Sequence, residues 1–253
     1  MIRSFLLIGQ SNAAGRGFLS DAAPLDNVGG RLKVLRNGRW QKMFRPVNPD
    51  RPFSGSCFAE RFAKEYALAN PGIDVGIIPA ADGGTRMEQW MPGSLLFDHA
   101  VSEARLAMRT SFLTGVLWHQ GESDSSPEDA PYYRERFETM IAALRKELAL
   151  PDVPVLAGEL GDYLTEAEPA GQFAAYACVN AALHAAAEEI PLLKVVSAKG
   201  LGSNPDHLHF SAEALDTFGE RYYQAFREFD LTAVLSENHV CEADGVRTSL
   251  EEK

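Results

Sequence analysis

The sequence alternates short apolar runs with longer segments whose apolar residues recur at helical spacing. Five runs are predicted to be strands, over residues 4–9, 74–80, 113–119, 153–160 and 193–198. Most of them are apolar at successive positions, which is typical of strands covered by helices on both faces. The alternation itself is typical of βαβ units, so the chain is predicted to be an α/β protein with a mostly parallel sheet.

The segments between these strands have the apolar stripe of amphipathic helices. Helical spacing is found over residues 58–66, 97–108 and 133–148, and an Ala-rich segment over 174–187 predicts another helix. Ser211 is a good N-cap, and the apolar residues that follow it predict a last helix that ends near Phe226.

The region from Gly15 to Gly55 breaks this pattern and is rich in Gly, Pro and Asn. We interpret it as an insertion within a single domain over residues 1–235, since long loops in compact α/β proteins are usually functional or mobile. One piece of it, Val34–Trp40, resembles a hairpin, because its Asn37-Gly38 pair favours a tight turn. The polar tail over 236–253 is predicted to be poorly ordered.

Charge and cysteine content exclude several classes of partner. The chain has 24 basic and 35 acidic residues, a net charge of −11, which disfavours binding to nucleic acid and to anionic membranes. Its three cysteines include no Cys-x-x-Cys pair, which argues against a disulfide framework and a zinc knuckle. Without a signal peptide or an apolar stretch of the roughly 18 residues that a membrane span needs, we expect a cytoplasmic protein. The sequence leaves its oligomeric state open.

Unusual polar residues follow four of the five predicted strands. They stand in the runs Gly9–Asn12, Ala81–Thr85 and His119–Asp124, and in Asp206–His209 after the last strand. In an open parallel sheet, ligands bind outside the carboxyl ends of the strands. We therefore expect these four runs to meet in one pocket.

Three of these residues fit serine-based acyl transfer. Ser11, between a strand and a helix, is the candidate nucleophile, because backbone N–H groups there can face a developing oxyanion. His209 is the candidate base, and Asp206, three residues earlier, can fix its tautomer.

Glu122 has three interpretations: it orients His209 in place of Asp206, it holds Ser11 or a loop in register, or it is a solvated carboxylate. The candidate oxyanion donors are the Gln120 side chain and the backbone N–H groups of Gly83 and Gly84.

Together the blocks Gly-Gln-Ser-Asn, Gly-Gly-Thr followed by Trp90, Trp-His-Gln-Gly-Glu-Ser-Asp and Asp-x-x-His resemble the SGNH hydrolase superfamily. They are most similar to its sialate O-acetylesterase and acetyl xylan esterase branch, carbohydrate esterase family 6. The first block is not Gly-Asp-Ser-Leu, and Gln120 stands where the superfamily has an asparagine, which points away from lipases.

The resemblance implies a three-layer α/β/α sandwich with a five-stranded parallel, flavodoxin-like sheet, and cofactor-free hydrolysis of acetyl esters on carbohydrates. It assigns Ser11 as nucleophile, His209 as base and Asp206 as acid, while Glu122 matches a family glutamate that has also been considered the acid. The oxyanion hole would combine the amide of Ser11, that of Gly83 or Gly84, and the side chain of Gln120. Substrate contacts are expected from Gln10, Asn12, Trp90 and Phe210.

Two alternatives compete with this interpretation. A metal-dependent hydrolase would use the side chains of His119, Glu122, Asp124, Asp206, His207 and His209, but these have no recognised metal spacing, so no metal is predicted. The other alternative is a catalytically silent carbohydrate-binding homologue. The expected partner is a small-molecule or oligosaccharide acetyl ester.

Overall fold

A seven-stranded sheet forms the centre of the computed structural model, which describes residues 1–229. The strands are β1 (Ile2–Gly9), β2 (Leu32–Arg36), β3 (Arg39–Lys42), β4 (Asp74–Pro79), β5 (Phe112–His119), β6 (Val155–Gly158) and β7 (Leu193–Val196). Their order is β3-β2-β4-β1-β5-β6-β7, and β3 runs antiparallel to β2 while the other pairings are parallel. The expected end of the domain at 235 and the tail over 236–253 lie outside the described residues.

Helices cover both faces of the sheet, so the predicted α/β/α sandwich is confirmed. The helices are α1 (Ser11–Ala14), α2 (Phe58–Ala69), α3 (Leu95–Met108), α4 (Tyr133–Glu147), α5 (Tyr176–Glu189) and α6 (Ala212–Arg227). Ser211 caps α6 as expected, since its hydroxyl accepts a hydrogen bond from the Ala214 N–H. Within residues 1–229, no helix has both the length and the apolar character needed to cross a membrane.

Aromatic side chains fill the core on the two faces of the sheet. On one face Phe5 of β1 packs edge-on against Phe62 of α2 and Phe226 of α6, with ring centroids 4.7 and 5.4 Å apart. On the other face Trp118 of β5 packs against Trp90 and against Phe137 of α4. Burial of such large side chains is the main stabilisation that fixes the strands, and hence the loops after them, in place.

The hairpin predicted within the 15–55 region joins the sheet, which is why the sheet has seven strands where five were expected. Its turn residues, Asn37 and Gly38, have φ of 50° and 71°, as a two-residue hairpin turn requires. Leu32 and Val34 of β2 are buried, and β2 pairs in parallel with β4. The hairpin therefore buries its apolar side chains by extending the edge of the sheet.

The order of the strands places β1 between β4 and β5, at the switch point where ligands bind in doubly wound sheets. The ends of β1 and β5 approach closely, and the Gln10 N–H donates to the His119 carbonyl at 2.9 Å. Gly9 has φ of 124°, and a methyl group on it would overlap the His119 carbonyl oxygen. A glycine is therefore needed where the chain leaves β1 and turns into α1.

Candidate active site

Ser11 is the first residue of α1 and follows β1 after a single residue, Gln10. Its hydroxyl oxygen lies 3.0 Å from His209 Nε2, although the two residues are 198 positions apart in sequence. Ser11 is 5% exposed, so its hydroxyl stands at the floor of the site. The distance is within the range in which a histidine can take the proton of a serine hydroxyl.

Asp206 holds the opposite side of the His209 ring. Its Oδ2 lies 2.7 Å from His209 Nδ1, while its Oδ1 accepts the backbone N–H groups of Leu208 and His209, each at 3.0 Å. His207 has φ of 48°, which makes the chain reverse inside this short loop. Burial acts to raise the pKa of the Asp206 carboxyl, but the hydrogen bonds from His209 and Leu208 outweigh it and lower that pKa. The carboxylate is thus charged and able to stabilise a protonated His209.

Glu122 lies against Asn12, the residue after Ser11, and not against His209. The Asn12 amide donates to Glu122 Oε1 at 2.5 Å and to the Leu208 carbonyl at 3.2 Å, and its oxygen accepts the Phe210 N–H at 3.0 Å. Asn12 therefore joins the turn that contains Ser11 to both neighbours of His209. Of the three interpretations of Glu122, this geometry favours the one in which it holds loops in register.

The backbone N–H groups of the candidate oxyanion hole differ in whether they already have a partner. The N–H groups of Ser11 and Gly84 make no hydrogen bond to another group within residues 1–229, whereas the Gly83 N–H donates to Asp50 Oδ2 at 2.9 Å. Of the two glycines proposed from the sequence, Gly84 is thus the one whose amide is free to bind a ligand.

The expectation that the Gln120 amide faces the oxyanion is corrected by the structure. Gln120 is fully buried, and three acceptors surround the two N–H groups of its Nε2: the Thr85 carbonyl at 3.0 Å, Gln10 Oε1 at 3.2 Å and the Asp124 carboxylate. Its donors are therefore already used between the loops after β1, β4 and β5. Gln120 fixes the spacing of those loops.

The four side chains expected to contact the substrate are all buried in the structure. Gln10 Oε1 accepts the N–H groups of Gly121 and Ser123, and Asn12 makes the bonds described above. The Trp90 indole Nε1–H donates to Thr85 Oγ1 at 3.0 Å, and the Phe210 ring packs on His119 and Tyr163. These side chains shape the site from beneath.

The six side chains of the metal alternative fall into separate groups. His119 Nδ1 and Glu122 Oε1 are 3.7 Å apart in the interior, and burial lowers the pKa of His119 although Glu122 opposes the shift. Asp206 and His209 form their own pair, and Asp124 accepts the N–H of Met87. In the described part of the chain, no three such side chains are grouped as a metal site would require.

Sequence reasoning missed an ion pair that lies beside Ser11. The Arg16 guanidinium binds both carboxylate oxygens of Asp50, at 2.7 and 3.0 Å, and both side chains are almost completely buried. A methyl group on Gly83 would overlap Arg16 Nη2 and would lie 3.4 Å from Ser11 Cβ. No local sequence pattern predicts this pair, because Arg16 and Asp50 are 34 residues apart.

Comparison with known proteins gives one family and several structural relatives. The model of a family described as carbohydrate esterase, sialic acid-specific acetylesterase matches residues 2–228. A protein of Arabidopsis thaliana described as a probable carbohydrate esterase is 27% identical in an alignment 251 residues long, gaps included, which covers 88% of this chain and 89% of that protein.

Solved structures show the same architecture. The X-ray structure of that Arabidopsis thaliana protein aligns with a TM-score of 0.75 at 25% identity, over 89% of this chain and 97% of its own. NanS aligns with a TM-score of 0.70 at 19% identity, over 90% of this chain and 97% of its own. A carbohydrate acetylesterase of Xanthomonas citri aligns with a TM-score of 0.68 at 21% identity, over 89% of this chain and 55% of its own.

Proposed function

Since the chain belongs to the carbohydrate esterase, sialic acid-specific acetylesterase family, we propose that it removes O-acetyl groups from a carbohydrate through a serine nucleophile. Membership of the family confirms the resemblance inferred from the sequence motifs and makes the protein a carboxylic ester hydrolase. The observation that carries the proposal is the continuous hydrogen-bonded chain from Ser11 Oγ through His209 to Asp206.

In the proposed first step, Ser11 Oγ attacks the acetyl carbonyl carbon while His209 Nε2 takes the hydroxyl proton. Asp206, 2.7 Å from Nδ1, stabilises the imidazolium that forms. When the tetrahedral intermediate collapses, the ester C–O bond breaks and His209 returns the proton to the departing sugar hydroxyl. In the second step, water gives a proton to His209 and attacks the acetyl-serine, which forms a second tetrahedral intermediate. When that intermediate collapses, the bond between Ser11 Oγ and the acetyl carbon breaks, His209 returns the proton to Ser11 Oγ, and acetate is released.

The negative charge of both tetrahedral intermediates would be bound by the N–H groups of Ser11 and Gly84. Such donors are fixed before the reaction begins, so they stabilise the developing charge without reorganising. The Gly83 amide, bound to Asp50, would instead hold the loop that presents Gly84.

The proposed substrates are acetylated sugars of the kind the branch is known for, acetylated xylan or O-acetylated sialic acid. The family description supports an acetyl ester of a carbohydrate. A panel that compares kcat/KM on acetylated xylo-oligosaccharides, O-acetyl sialic acid and simple aryl acetates would rank these substrates.

The replacement Ser11→Ala tests the mechanism. We expect hydrolysis of a small aryl acetate to fall by about 10⁶-fold, as when the nucleophile of a serine hydrolase is removed. The far-UV circular dichroism and Tm should match those of the wild type, because a methyl group fits where the hydroxyl stood. Ser102→Ala on the exposed face of α3 is a matched control that should keep full activity.

Retained turnover by Ser11→Ala would overturn the assignment. A phosphonate ester gives an independent test, since it should label the wild type at Ser11 and leave Ser11→Ala unlabelled. Absence of labelling in the wild type would favour the catalytically silent alternative. Full activity after treatment with a chelator is expected of a serine esterase, and its loss would favour the metal-dependent one.

A further inference from the structure

The segment Asn48–Ser54 is fastened to the loop that follows β4. The Asn48 side chain exchanges two hydrogen bonds with the backbone of Ala81, at 2.9 and 3.0 Å. Arg51 Nη2 donates to the Gly83 carbonyl at 2.9 Å and forms an ion pair with Asp82 at 2.8 Å. This segment is therefore held beside Gly83 and Gly84, in the region that the sequence defined only as an insertion.

The same segment is bound to the nucleophile turn through Asp50. Its carboxylate accepts the Gly83 N–H at 2.9 Å, the Ser54 hydroxyl at 2.7 Å and both Nη groups of Arg16. Arg16 follows α1, and both its guanidinium and the Ser11 side chain lie close to the Gly83 Cα. The Asp50 contacts thus place the segment at the edge of the site that contains Ser11.

Phe53 is the aromatic side chain of this segment, and it is exposed. It is 70% exposed, and the Arg16 guanidinium lies over its ring, 5.2 Å from the centroid. The cation–π contact fixes one face of the ring, so the other face remains available. An exposed phenylalanine has no role in the core. Phe53 contacts Arg16, and the ion pair of Arg16 with Asp50 lies beside Ser11.

We propose that Phe53 is a specificity-determining residue, whose open face stacks against the sugar ring that carries the acetyl ester. This inference rests on the proposed function, since it assumes an acetylated carbohydrate as substrate. The C–H groups on one face of a pyranose suit the electron-rich face of an aromatic ring, and ligand sites are usually lined by such rings beside a few polar groups.

The Arg16–Asp50 pair determines which part of a substrate this surface can bind. Because the guanidinium is bound at both ends of its fork by the Asp50 carboxylate, its charge is compensated within the protein. This surface should therefore contact the apolar face of the sugar ring. Replacement of Phe53 should then lower kcat/KM only for substrates that contain a sugar ring.

The test compares Phe53→Ala with the wild type on two substrates. One is an acetylated saccharide that the wild type cleaves, either an acetylated xylo-oligosaccharide or O-acetyl sialic acid. The other is glyceryl triacetate, which has acetyl esters but no ring. We expect kcat/KM on the saccharide to fall by about 10-fold, mainly through KM, because loss of one aromatic contact is worth about one decade. The value for glyceryl triacetate should stay within about twofold.

Two further variants complete the design. Phe53→Trp should keep the activity on the saccharide, because it preserves an aromatic face. Phe112→Ala is the matched control, since Phe112 also lies 5.2 Å from an arginine, Arg3, but at the amino ends of β1 and β5, away from the site. It should leave the ratio of the two kcat/KM values unchanged.

Two results would overturn the inference while leaving the proposed function intact. One is a Phe53→Ala variant with an unchanged saccharide value, and the other is an equal loss on both substrates, which would mean that Phe53 only supports the loop. If the wild type cleaves glyceryl triacetate but no acetylated saccharide, the proposed function and this inference fail together.

Discussion

Asp206 accepts three hydrogen bonds that together determine what an asparagine at this position would do. Two backbone N–H groups, of Leu208 and His209, donate to Oδ1, and His209 Nδ1 lies against Oδ2. In Asp206→Asn the amide oxygen must face the two N–H groups, because an NH₂ group there would meet two donors. The NH₂ group must then face His209 Nδ1.

This arrangement turns His209 into the wrong tautomer. An amide donor opposite Nδ1 makes that nitrogen the acceptor, so Nε2 carries the hydrogen and cannot take the proton of Ser11. We expect kcat to fall by about 10⁴-fold, equivalent to about 5 kcal/mol of activation free energy, while KM and Tm change little.

The comparison that tests this reasoning is Glu122→Gln. A glutamine oxygen can still accept the Asn12 amide, so we expect a loss of less than about 10-fold. Initial rates on a small aryl acetate, with Tm measured for each variant, give both values. If Glu122→Gln costs more activity than Asp206→Asn at equal stability, the acid is Glu122, and the argument from Asp206 geometry is refuted.

Two more predictions follow from buried polar groups near the site. Asn12→Ala should lower kcat by about 10²-fold with little change in KM, because it frees the loop that positions His209; an unchanged kcat in steady-state assays would contradict this. Asp50→Asn tests a pH dependence. Burial acts to raise the pKa of the Asp50 carboxyl, but hydrogen bonds from Arg16, Ser54 and the Gly83 N–H outweigh it and hold that pKa below its ordinary value. The stability that Asp50 adds over Asp50→Asn should therefore be fully present above about pH 4 and shrink as the pH falls through the lowered pKa. Urea unfolding of both proteins across this range measures it, and a difference that grows towards acid pH would contradict it.

The sequence predicted most of the fold because the strands beside β1 are buried on both faces and the helices have one apolar stripe. Such patterns are local, as is the N-cap at Ser211. The pairing of β2 with β4 was not predictable in the same way, since Leu32 and Val34 find their partners more than forty residues away. A turn pattern predicts a hairpin but not the sheet that it joins.

Some features of the candidate site could likewise be predicted from local sequence patterns, and others could not. The approach of Ser11 to His209 could be expected because both follow parallel strands whose carboxyl ends share one edge. The burial of Gln120, Trp90 and Phe210 could not be expected. A polar or aromatic residue after a strand has the same local sequence pattern whether its side chain faces a ligand or the interior. Arg16 and Asp50 meet only through the folded 15–55 region, so their pairing had no signature in spacing.

The bond between Ser11 and His209 also has a consequence for synthesis of the protein. The ribosome makes Ser11, the proposed nucleophile, nearly two hundred residues before His209, the proposed base, an interval of roughly 10–40 s at ordinary elongation rates. During that time the nascent chain has a serine without its base. Hydrolytic activity should therefore appear only after the loop before α6 has left the exit tunnel.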